Sequence, residues 1–135
     1  MKVFLDTNVL VAAFATRGLC SDVFRVVAAE HELLVGEPVL VEMRRILETK
    51  LRMPEQARNE ALRVLRRYTK VPAAKAPIGL DINDPADEWI VACALTVPAD
   101  VFVTGDKALL ALRRVQDMPI VSPRDFWTQA RPGSA

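Results

Sequence analysis

Lys2-Val3-Phe4-Leu5-Asp6-Thr7-Asn8-Val9-Leu10-Val11 is the stretch that decides the fold. A short run of Val, Phe and Leu stops at an acid and two small polar residues, after which apolar residues resume. A run of that length and composition predicts a strand buried on both faces. Asp6 then stands at its carboxyl end, where open α/β sheets place their ligands. The pattern recurs in Val101-Phe102-Val103-Thr104-Gly105-Asp106. Two buried strands, each delivering an aspartate to one edge of a sheet, suggest a shared anionic site. Each aspartate is equally readable as the N-cap of the helix that follows it.

Working outward, Val9 to Ala15 reads as a short helix that Arg17-Gly18 breaks. Ser21-Asp22 is positioned to cap a second helix reaching Glu30. Glu32 to Val35 reads as a strand, and Pro38 as the first residue of a helix to about Leu51. Pro54 opens another helix, to about Tyr68. Val71 falls in a short edge strand in a loop marked by Pro72 and Pro77. Asp84-Pro85-Ala86-Asp87 is a helix start with an N-cap acid, proline in first place and a second acid in the first turn. The helix it opens runs to about Val97 and is almost wholly apolar after Glu88. A helix from Lys107 to about Arg114, a strand at Ile120-Val121 and a terminal helix capped by Ser122-Pro123 complete the chain. Short strands alternating with helices predict an α/β fold with a mostly parallel sheet covered on both faces. At 135 residues this is one domain, 1–130, followed by a flexible tail, 131–135.

A net charge of +1 gives no global signal for a nucleic-acid partner, so any such signal is local. Cys20 and Cys93 form no C-x-x-C and read as free thiols in a reducing compartment. No apolar run approaches a membrane span, and a cytoplasmic location with no membrane partner is expected. The single histidine, His31, lies at a helix end and reads as a surface residue. No G-x-S-x-G or P-loop is present.

Two further acids join the pair. On a helical wheel Val39, Met43, Ile46 and Leu47 form the buried stripe of the Pro38 helix, and Glu42 falls at its margin. Asp84 is the better cap of its helix, which leaves Asp87 free to point elsewhere. Carboxylates brought together repel one another, so such a cluster implies a hard cation. Oxygen-only ligands suit Mg²⁺ or Mn²⁺.

Asp6-Thr7-Asn8, the acid of the next-but-one helix, D-x-x-D at a buried helix start and Val103-Thr104-Gly105-Asp106, in that order, resemble the PIN domain. PIN domains are small metal-dependent ribonucleases, and many bacterial members are toxins of VapC-type toxin–antitoxin pairs. The resemblance spans Val3 to about Phe126. It implies a three-layer α/β/α fold around a parallel sheet of about five strands, and an Mg²⁺- or Mn²⁺-dependent endoribonuclease. Asp6, Glu42, Asp87 and Asp106 match its acidic quartet, as catalytic and metal-binding residues. Asn8 and Thr104 match polar positions that steady the site. Asp84 belongs to a D-P-x-D form of the third motif, so either Asp84 or Asp87 can be the main third acid. Ala108 stands where some members carry another acid. RNA as substrate, a cognate antitoxin and a homodimer are the implied partners.

Two other classes compete. A strand-ending aspartate can be a phosphorylated nucleophile, although Asn8 stands where such phosphatases resemble D-x-D. A non-catalytic RNA- or protein-binding module is the other, since nine of the eighteen basic residues lie between Met43 and Lys70. If the Pro54 helix extends to about Tyr68, Arg63, Arg66, Arg67 and Lys70 share one of its faces, opposite Ala57, Ala61, Val64 and Leu65. That face is a candidate for RNA-backbone or partner contact.

Overall fold

The computed structural model describes residues 1–76, 78–80, 82 and 84–130. The expected tail at 131–135 and the loop proline Pro77 lie outside them. Six strands form one sheet in the order β3-β2-β1-β4-β6-β5. They are β1 (Lys2–Leu5), β2 (Glu32–Gly36), β3 (Thr69–Val71), β4 (Val101–Val103), β5 (Arg114–Val115) and β6 (Met118–Val121). The first five in spatial order are parallel, and β5 runs antiparallel to β6 at the edge. The helices are α1 (Thr7–Ala15), α2 (Leu19–Glu30), α3 (Glu37–Thr49), α4 (Glu55–Leu65), α5 (Pro85–Leu95), α6 (Lys107–Leu112) and α7 (Pro123–Ala130).

Successive strand residues point to opposite faces, so a strand with every residue buried is covered on both sides. Val3, Phe4 and Leu5 are buried without a break, as are Phe102 and Val103 beside them. Phe4 pairs in register with Phe102, and their rings stack with centroids 5.3 Å apart. Helices therefore flank both faces, as the apolar runs predict. Gly36 at the end of β2 stands tight against the Phe4 ring, where a Cβ would lie 2.8 Å from Phe4 Cζ. Among the described residues no helix is long and apolar enough to cross a membrane.

Several boundaries differ from expectation, each for a local reason. The first helix starts at Thr7 rather than Val9, because Asp6 itself is the N-cap and the strand runs straight into the helix. The second starts at Leu19 with Gly18 at the N-cap, so Ser21 and Asp22 do not cap it; Asp22 pairs with Arg25 one turn on. The Pro54 helix stops at Leu65, with Arg66 as C-cap, because the chain must turn to pair Thr69 with Leu34 in the sheet. Arg67 is consequently in a turn and Lys70 in β3, so the expected single basic face of one helix does not exist. Ala57, placed on the opposite apolar face, is exposed. The α6 helix ends at Leu112, and the chain reverses through a short hairpin that the sequence reading did not contain. Arg113 and Gln116 bend it at positive φ, 61° and 54°.

Candidate functional site

The strand order reverses at β1 and β4. From β1 the chain builds β2 and β3 to one side, and from β4 it builds β6 and β5 to the other. Such a reversal opens a crevice at the carboxyl ends of the two strands. Asp6 follows β1 there and Thr104-Gly105-Asp106 follows β4. The ladder continues past both strands: Asp6 N–H donates to the Val103 carbonyl at 2.9 Å, and Thr104 N–H to the Val121 carbonyl at 3.0 Å.

Asp6 is only 4% exposed. Its Oδ1 accepts from Thr7 N–H at 2.8 Å and its Oδ2 from the Thr104 hydroxyl at 2.7 Å. The same Thr104 oxygen accepts from Asp106 N–H at 3.0 Å, so one buried threonine ties the two aspartates together. Asp106 Oδ1 caps α6 by accepting from Ala108 and Leu109 N–H at 2.8 and 3.3 Å. Both aspartates are thus helix caps and neighbours in one crevice; the two readings describe the same atoms.

The other acids come from two helices. Asp84 caps α5, accepting from Ala86 N–H at 2.9 Å, and leaves Asp87 half-buried in the first turn. Burial pushes the Asp87 carboxyl from 3.8 up to about 7, reinforced by the charges of Asp106, Asp84 and Asp6 and by a hydrogen bond to Asp106. Glu42 is raised by burial and then by Asp6 and Asp84, against the lowering pull of Arg45 and Lys50. Burial also raises Asp6, with Thr104 and Thr7 opposing and Asp106 adding. Asp6, Glu42, Asp84, Asp87 and Asp106 therefore share one electrostatic environment.

That environment lacks close compensation. Among the described residues the salt bridges are Arg25–Asp22 and Arg63–Glu60, neither of which involves these five acids. The donor set is oxygen only, and the Thr7 hydroxyl beside Asp6 is buried with no hydrogen-bond partner among the described residues. Both features fit a hard divalent cation. As the side chains stand, no three His, Cys, Asp or Glu residues among the described ones converge closely enough to hold a metal ion.

Asn8 is exposed and its side chain makes no hydrogen bond among the described residues, whereas Thr104 bridges both aspartates. Of the basic residues singled out, Arg63 pairs with Glu60 at 3.3 Å, and Arg66 and Arg67 are exposed. Two residues had no role assigned from sequence. Thr7 is one, although it stood inside the first motif. Arg45 is the other: it lines a cavity of about 490 Å³ together with Glu42 and Asp84.

Comparison with known proteins agrees with this fold. Among solved structures the fold is similar to a chain of the crystal structure of VapBC2 from Rickettsia felis bound to a DNA fragment from their promoter. The TM-score is 0.66 at 16% identity, covering 90% of this chain and 98% of that one. A search of curated proteins finds no match. The PIN domain family matches residues 2–108, from the first strand through the aspartate that follows β4. The chain belongs to the PIN-domain family.

Proposed function

We propose that this protein is an endoribonuclease dependent on Mg²⁺ or Mn²⁺ and the toxin of a toxin–antitoxin pair. The observation that carries the chemistry is the mutual coupling of the acids at the carboxyl ends of β1 and β4, with none of them in a salt bridge among the described residues. Asp6, Glu42, Asp87 and Asp106 would hold the cation, with Asp84 at their margin. When bound, a divalent cation supplies water activation and charge stabilisation at the phosphorus. The chain's own residues fix the geometry. Thr104 holds Asp6 and the backbone of Asp106 in register, and the start of α1 locks the second Asp6 oxygen. The raised Asp87 carboxyl keeps a proton near neutrality until positive charge arrives. Engagement of Asp6 and Asp106 as caps means that Glu42 and Asp87 must make the larger side-chain adjustments.

The structural likeness to a VapBC2 chain supports the toxin half of the reading and with it a cognate antitoxin. A homodimer and a cytoplasmic location belong to the same proposal. The phosphotransfer alternative is disfavoured by Asp6, whose two oxygens are both occupied and almost fully buried. The binding-module alternative draws on the absence of a ready-made three-carboxylate cage among the described residues. Incubating purified wild type, Asp6→Asn and Asp87→Asn with end-labelled single-stranded RNA and Mn²⁺ separates the readings. Cleavage by wild type, its abolition by EDTA and its loss in both variants is the expected result. RNA binding without cleavage in wild type would leave the module reading standing.

A further inference from the structure

The exposed face of α3 carries an arrangement that begins at the edge of the acid cluster and runs away from it. The cavity that holds Glu42 and Asp84 also admits the side chain of Arg45 and is bounded on one side by Val41. Val41 also lines a second cavity, of about 370 Å³, together with Arg44, Arg66 and Glu37. Val41 is 72% exposed, a large apolar side chain left in solvent between a cavity that holds Arg45 beside two carboxylates and one that holds Arg44 and Arg66 beside Glu37. All three arginines are exposed, and among the described residues none of them is in a salt bridge. Of the nearby basic residues, Arg63 pairs with Glu60, Arg58 donates to the Met53 carbonyl at 3.0 Å, and the exposed Arg67 lines neither of these cavities.

We propose that this face of α3 is the track for a single-stranded RNA, with Arg45 on the phosphate beside the acid cluster, Val41 under the next nucleoside and Arg44 with Arg66 on a phosphate further along. The inference rests on the nuclease reading and deepens it by giving the substrate a path. A guanidinium presents a planar fork that matches two phosphate oxygens. The order charge, apolar side chain, charge repeats the order phosphate, nucleoside, phosphate of a polynucleotide. An unstacked strand is needed, because only then do base and sugar offer a face to an apolar side chain. The track is continuous with the acids through the shared cavity, so a strand held by Arg45 enters the place where Glu42 and Asp84 stand. An acidic protein segment would meet the same arginines but has no scissile phosphate to deliver to the acids that share the Arg45 cavity.

The test uses the full chain and four changes: Arg45→Gln, Arg45→Lys, the double change Arg44→Gln with Arg66→Gln, and Arg63→Gln off the track. Binding of a fluorescent single-stranded RNA 12-mer is measured against salt in an Asp87→Asn background with Mn²⁺, and KM and kcat for cleavage in the otherwise wild-type chain. Arg45→Gln and the double variant should each weaken binding and raise KM by about tenfold, and each lost phosphate contact should reduce the salt slope by about 0.7. Arg45→Lys should recover part of the loss, and Arg63→Gln should change neither quantity. Cleavage with binding indifferent to all three track arginines overturns the track and leaves the nuclease standing. Arginine-dependent RNA binding in a wild type that never cleaves removes the nuclease and keeps the track. Loss of binding to a poly-glutamate 12-mer, with RNA binding intact, assigns the face to an acidic protein segment and overturns the proposal.

Discussion

Replacing Asp87 by asparagine keeps the side chain's shape and removes the charge on which Asp106, Asp84 and Asp6 all act. The rise of its carboxyl from 3.8 to about 7 corresponds formally to about 4 kcal/mol. Asp87 is only half-buried, and screening by water reduces this to about 1–2 kcal/mol. The sign follows from the direction of the shift. A folded-state pKa above the unfolded one contributes stability below about pH 4, and that contribution is lost as pH climbs through about 7. The amide has no such dependence and can still donate a hydrogen bond to Asp106. In EDTA the melting temperature of the variant should therefore gain on wild type steadily between pH 4.5 and 7 and hold its lead above that. At roughly 3–5 °C per kcal/mol for a chain of this size, the gain is about 3–10 °C. Adding Mn²⁺ at pH 7.5 should raise wild type more than the variant, since only the folded state binds. Melting curves of both proteins at pH 4.5, 6, 7.5 and 8.5 measure it. A difference that stays constant across that range would refute the reasoning, because Asp87 would then be an ordinary solvated acid.

Thr104→Val removes the hydroxyl that donates to Asp6 Oδ2 and accepts from Asp106 N–H, and should cost about 1–3 kcal/mol in urea unfolding at unchanged m. A loss below about 0.5 kcal/mol would mean that the two aspartates hold their places without it. Gly36→Ala should cost about 1–3 kcal/mol, because the new methyl meets Phe4 Cζ at 2.8 Å and Cys93 Sγ at 3.2 Å. The Gly36 backbone, at φ −74°, suits alanine, so an unchanged midpoint would show that the Phe4 ring, stacked on Phe102, yields more freely than its packing implies.

Much of this arrangement is legible in the chain because its signals are local. Buried strand runs end at Asp6 and at Thr104-Gly105-Asp106, and Asp84-Pro85 marks a helix start whose second acid faces inward. The margin position of Glu42 follows from the apolar stripe around it. What stayed hidden depends on partners distant in sequence. The β5–β6 hairpin turns at Arg113 and Gln116, and neither residue type announces a positive φ as glycine or asparagine would. The helical pattern of α4 continues through Arg67 and Tyr68, but pairing of Thr69 with Leu34 pulls the chain into the sheet. Arg45 stood among nine basic residues, and its place beside Asp84 arises only where α3 meets the start of α5.

The hydroxyl of Thr104 and the carboxylate it holds on Asp6 are 98 positions apart in the chain. A ribosome adds roughly 5–20 residues per second, so a newborn chain carries Asp6 for about 5–20 s before Asp106 exists. During that interval β1 can pair with β2 and the first helices can form, but β4 is missing and with it half of the crevice. Whatever the acids do together, they can do it only once β4 has been made and has paired with β1. The order of the strands thus acts as a clock: under the proposed nuclease function, the site stays incomplete while the message for it is still being read.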